Sequence, residues 1–109
     1  MIPHVLLATA AASALIAPLP RQPDPVIEAI RCTAVHMPPV AQALARGEHP
    51  LLVVNDIPRG RMEAAPCPAG ARPPQGLRRL DYLRPEAAVP LFGREASQGV
   101  VRAELAERS

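Results

Sequence analysis

The chain has 109 residues, a formal net charge of +2, a single Tyr, a single Phe and no Trp. That length bounds it to one domain at most. The weak charge bias, with arginines scattered rather than clustered, excludes a nucleic-acid or anionic-membrane binder built on a basic patch.

Residues 1–20 contain no Asp, Glu, Lys or Arg, and from Val5 to Ala17 they are apolar or small throughout. Such a run is shorter than the ~20 residues of a membrane span and fits the ~7–15-residue apolar core of a secretory signal. Ala12-Ser13-Ala14 supplies a cleavage site and Ala17 a second. Only the α-amino group and His4 can lend positive charge to its start, which is less than such a signal usually carries. The expected organisation is a signal peptide with a proline-rich junction over 1–20 and one domain over 21–109, periplasmic or secreted. No transmembrane segment is expected in the mature chain.

The mature part is small for an autonomous core and carries most of the chain's fifteen prolines. Each proline lacks a backbone donor, which limits helix and central strand. All basic side chains are Arg, a composition that goes with a GC-rich coding sequence as readily as with phosphate recognition. Cys32 and Cys67 are the two cysteines, and an even count in an exported small domain predicts a disulfide. Closing that span stabilises the fold by roughly 3–4 kcal/mol in the chain-entropy model. The rival arrangement, zinc held by Cys32, His36, His49 and Cys67, lacks the paired short-spaced clips of recognisable zinc sites.

In chain order, Asp24-Pro25 offers an N-cap with proline at the first helical position. The segment that follows, 26–34, fits a short helix and also alternates as a strand would, so both remain open. Pro38-Pro39 opens a helix over 40–46, with Gly47 at its end. Leu51-Leu52-Val53-Val54 is an apolar run typical of a strand buried on both faces, and Asn55-Asp56 predicts a tight reversal. Residues 58–76 are rich in Pro, Gly, Ala and Arg without periodicity, and an irregular loop pinned by Cys67 is expected there. Leu80 and Tyr82 alternate as in a strand. A short helix then runs from Pro85 to Gly93 across Pro90. Gly99 opens a half-buried strand in which Val101, Ala103 and Leu105 share a face.

The segment 77–105 resembles the end of the plug domain of TonB-dependent outer-membrane receptors. Leu77, Leu80, Tyr82, Leu83 and Arg84 fall on the strand before that domain's short helix. Ala88, Leu91, Phe92 and Gly93 fall on its A-x-x-L-Y-G helix end, and Gln98, Gly99, Val100 and Val101 on its N-G-V-I. Upstream, residues 50–58 are similar to the plug's P-L-x-V-I-D-G-V-P hairpin, with Asn55 in place of the Asp and Asp56 in place of the Gly. Pro85, Pro90 and the ending Arg102-Ala103-Glu104-Leu105 depart from the pattern. The resemblance implies an α+β fold, with a mixed sheet of three to four strands and two short helices. In it Leu91 and Phe92 would cap the core above the sheet, with Leu51–Val54, Leu80/Tyr82 and Val101/Ala103/Leu105 side by side in that sheet and roofed by the Ala88–Phe92 turn of helix. Without the strands of a barrel, it implies a plug-like module rather than a transporter.

No catalytic constellation stands out. Ser97 and Ser109 sit on no nucleophile elbow, Cys32 with His36 would be silenced by a disulfide, and Glu28, Asp56, Glu63 and Asp81 are spread singly. The expectation is a non-catalytic domain without cofactor or metal. Its partner is an envelope protein or a copy of itself, met through an exposed sheet edge or through 58–76, and no small-molecule ligand is indicated. A remnant or split piece of a receptor, and a secreted disulfide or metal-binding peptide, are the alternatives.

Overall fold

A computed structural model describes residues 24–64, 67 and 71–106. The expected signal peptide and the residues that follow it up to 23 lie outside them.

Helix α1 (Pro25–Ala34) begins where Asp24 accepts a hydrogen bond from the Val26 amide at 2.9 Å and Pro25 presets the first helical φ. These start signals decide the open choice over 26–34 in favour of helix, and α1 turns Ile30 and Ala34, four residues apart, into the core. Helix α2 (Pro38–Ala45) buries Val40 and Ala43. Gly47 ends it at φ +83°, with the Glu48 amide donating to the Ala43 carbonyl and the Gly47 amide to Leu44. That is a Schellman closure, which needs the left-handed residue.

The strands are β1 (Leu51–Val54), β2 (Ile57–Arg61), β3 (Leu77–Leu83) and β4 (Val100–Leu105). Helix α3 (Pro85–Phe92) and a 3₁₀ turn (Arg94–Ala96) lie between β3 and β4. The sheet runs β2-β1-β4-β3, with β1 and β4 parallel and both outer pairs antiparallel. The fold is therefore α+β with a four-stranded mixed sheet, and it has three helices rather than two because 26–34 is helical.

Both faces of the sheet are covered, which is why β1 is apolar throughout. On one face Leu52, Val54, Val101 and Ala103 meet Ile30, Ala34 and Val40 of the first two helices, together with Met62. On the other, Leu51, Val53 and Val100 meet Ala88 and Ala96. Wholly buried side chains such as Leu52 and Ile30 each contribute about 1.5–3 kcal/mol of transfer free energy.

Three expectations need correction. The irregular loop does not begin at residue 58, because β2 extends to Arg61. Asn55 and Asp56 adopt φ +48° and +67°, the primed turn whose twist feeds directly into an antiparallel strand. Pro58 is tolerated because β2 is an edge strand. Gly60, at φ +91°, absorbs the register slip between Leu51/Arg61 and Val53/Pro58.

Secondly, α3 does not roof Leu80, Tyr82 and Val101. Successive side chains of a strand point to opposite faces, so α3 packs on the Val100 face while α1 and α2 cover Leu80 and Tyr82. Thirdly, Leu91 does not cap the core. It is 64% exposed, whereas Ala88 is buried and Phe92 packs against the second cluster.

Asn55 shows how the turn is tied to the sheet. Its side-chain amide donates to the Leu105 carbonyl at 3.3 Å and its Oδ1 accepts from the Leu105 amide at 2.8 Å. The side chain thus acts as one more peptide unit of β1 against the end of β4. Asn55→Asp keeps the acceptor but sets a carboxylate against the carbonyl. We expect it to lower stability by about 1 kcal/mol at pH 7, read from urea unfolding midpoints.

Candidate docking surface

The sheet has two edges, and they are built differently. At β2, the Arg31 guanidinium reaches across from α1 and donates to the Arg61 carbonyl at 2.8 Å and also to the Arg59 carbonyl. Glu28 stands 3.6 Å from Arg31. A Cβ at Gly60 would lie 3.3 Å from the guanidinium, so glycine leaves room for it. With proline, a glycine bulge and a side chain occupying its carbonyls, β2 is a blunted edge.

The β3 edge is different. The Leu51 amide donates to the Gly99 carbonyl and the Asn55 amide to the Ala103 carbonyl. These bonds set the alternation of β4, whose residues 99, 101 and 103 address β1 while Val100, Arg102 and Glu104 address β3. Leu83, Asp81 and Arg79 are their opposite numbers. The backbone groups of Leu80 and Tyr82 therefore point away from the sheet. Among the described residues no other segment pairs with this edge. Pro39 and Gln42 of α2 and Arg46, the residue just after it, line a groove together with Tyr82, Arg84 and Glu86.

The charge on this strand is ordered. Arg102 grips Asp81 with two hydrogen bonds, Nε to Oδ1 at 3.2 Å and a terminal nitrogen to Oδ2 at 3.0 Å, and Arg79 approaches Oδ2 at 3.1 Å. The Arg102 hydrogen bond holds the Asp81 carboxyl below its ordinary value, against a smaller opposing effect of burial, and the charges of Arg102 and Arg79 add to it. A carboxylate with a depressed folded-state pKa contributes stability above its unfolded pKa and loses it as pH falls through the folded value. We therefore expect Asp81→Asn to cost about 0.5–1 kcal/mol at pH 7, discounted for solvent screening. The difference should vanish well below pH ~4, and unfolding curves at the two pH values measure it. The Tyr82 hydroxyl is pushed up, chiefly by burial and then by the charge of Glu48.

Of the residues singled out from the sequence, Asn55 and Asp56 form the β1–β2 turn, and Leu80 and Tyr82 lie in β3. Val100 and Val101 begin β4, a central strand. Gly93 closes α3 at φ +80°, and Gly99 meets the Tyr82 ring. Cys32 and Cys67 form the expected disulfide, with 5.5 Å between their Cα atoms. While it is intact neither sulfur can act as nucleophile with His36 or as metal ligand. Arg31, Gly60 and the Asp81–Arg102 pair escaped the sequence reading. The alternation of β3 against β4 could have suggested the last, whereas nothing local to Arg31 announces a contact some thirty residues away.

Among the described residues no helix is long and apolar enough to cross a membrane, and no group of three or more His, Cys, Asp or Glu could hold a metal ion. No family model, curated protein or solved structure matches the chain.

Proposed function

We propose that this chain is an exported, non-catalytic interaction module of the cell envelope, similar in fold to the plug domain of TonB-dependent receptors, and that it docks through the β3 edge. The observation that carries the reading is the contrast between the two edges. β2 is closed by Arg31, Pro58 and Gly60, while β3 turns the backbone groups of Leu80 and Tyr82 outward, as strand addition requires.

The plug-like part of the reading is supported by how its two sequence blocks meet. The Asn55-Asp56 hairpin, the β3–α3 unit and the Gly99-Val100-Val101 strand entry assemble around one sheet. The export part is supported by the disulfide, which persists in oxidising compartments, and by the apolar start of the sequence.

Expression of the full chain in a bacterial host, followed by fractionation, mass measurement and thiol labelling, tests the export reading. The expected product is periplasmic or secreted, shortened after Ala14 or Ala17, with no free thiol. An intact amino terminus and two reactive thiols in the cytoplasm would sink it. A barrel reading frame interrupted just downstream would instead favour a receptor fragment.

A further inference from the structure

We infer that the β3 edge docks a second copy of this chain, in an antiparallel pairing whose two-fold axis passes through Leu80. The inference names the partner of the edge on which the interaction-module reading rests.

The sequence about Leu80 is complementary to itself. Arg79 precedes it and Asp81 follows it. With Leu80 opposite Leu80 of the second copy, Arg79 stands opposite Asp81 of that copy, and Asp81 opposite its Arg79. Those two pairs are the close, non-hydrogen-bonded positions of an antiparallel ladder, where opposite charges attract and like charges repel most. Leu80 itself has its backbone groups directed outward, so it falls at a hydrogen-bonded position of the same ladder. The two demands, one from backbone alternation and one from charge, are met in a single register. Moving the axis to Asp81 would instead set carboxylate against carboxylate.

The charges are already held in place. Arg102 fixes Asp81 from the neighbouring strand, while Arg79 remains half exposed and leans on the same carboxylate. Pairing lets each Arg79 bridge to the other copy without moving Arg102. The other edge cannot compete, because Arg31 occupies its carbonyls. A closed two-fold pairing gives one continuous eight-stranded sheet and leaves no open β3 edge for a third copy. The contact is short, at the low end of specific interfaces, so a reversible dimer with a dissociation constant on the order of 10–100 μM is expected.

Sedimentation of the full exported protein from ~5 μM to ~1 mM should show a concentration-dependent monomer–dimer equilibrium. Arg79→Glu sets like charges opposite each other twice and should raise the dissociation constant about 30-fold. Asp81→Lys should do the same. Mixed one to one, these two variants recover both opposite-charge pairs. The introduced glutamate of one copy faces the introduced lysine of the other, and the retained Asp81 faces the retained Arg79. The mixture should associate within about threefold of the unaltered protein. Amide exchange on the unaltered protein needs no substitution: Leu80 and Tyr82 should gain protection as concentration rises, and β2 should not.

A protein that stays monomeric to ~1 mM, or a dimer indifferent to Arg79→Glu, overturns the inference. Concentration-independent exchange at Leu80 and Tyr82 overturns it as well, even if Asp81→Lys fails to fold. A monomer that nevertheless binds an envelope protein through β3 would overturn the pairing and leave the module reading standing.

Discussion

Reducing the Cys32–Cys67 disulfide should lower the melting temperature by about 15–25 °C. The bond closes a loop of sequence separation 35 between α1 and the segment after β2. In the chain-entropy account, opening it returns about 3–4 kcal/mol of conformational freedom to the unfolded chain. For a domain of this size, each kcal/mol displaces the midpoint by about 4–8 °C. The effect is large relative to the whole because the core contains no fully buried aromatic side chain, and net stabilities of small domains are only about 5–10 kcal/mol. The paired substitution of both cysteines by alanine should reproduce the reduced protein. Thermal or urea unfolding with and without reductant measures it, and a shift below about 5 °C would contradict the entropic account.

Gly99→Ala should destabilise the fold by about 3–4 kcal/mol, from backbone strain and overpacking together. Gly99 has φ +94°, and a Cβ there would stand 2.8 Å from the Tyr82 hydroxyl oxygen and 3.0 Å from the Leu83 carbonyl. The tyrosine tip could swing aside, but the Leu83 carbonyl belongs to the β3–β4 ladder and cannot. Gly93→Ala is the built-in control. Gly93 also has positive φ, +80°, yet nothing lies within 4 Å of its missing Cβ. That substitution should incur the conformational strain alone, about 1–3 kcal/mol, because φ +80° with ψ −164° is open essentially to glycine only. Equal losses at the two glycines would show that the contact with Tyr82 and Leu83 carries no weight.

The elements that could be foreseen are those with a local cause. Asp24 and Pro25 start a helix wherever they fall before helix formers, Gly47 and Gly93 end one, and Asn55-Asp56 reverses the chain. The four apolar residues of β1 announce burial on both faces, and the cysteine pair announces its own bond. Composition read without position misleads. Pro58 and Gly60 argue for loop in a linear sequence, yet both fit an edge strand, one as a missing donor and the other as a bulge. Leu91 reads as a core residue in the chain because a helix so short shows too few turns to fix which side faces inward; it is exposed while Ala88 is buried.

The candidate docking edge illustrates the same division. Arg79-Leu80-Asp81 is plain in the chain, but whether those charges lie on an edge or in the middle of a sheet depends on strand order. That order places β4, the last strand in sequence, between β1 and β3. Local chemistry along the chain suffices for caps, turns, the apolar run and the cysteine bond, since each depends on neighbours a few residues away or on a pair with no other choice. Strand order, the face that α3 covers and the reach of Arg31 to β2 depend on segments tens of residues apart. Burial and hydrogen bonding select among those pairings collectively, so only the assembled protein decides them.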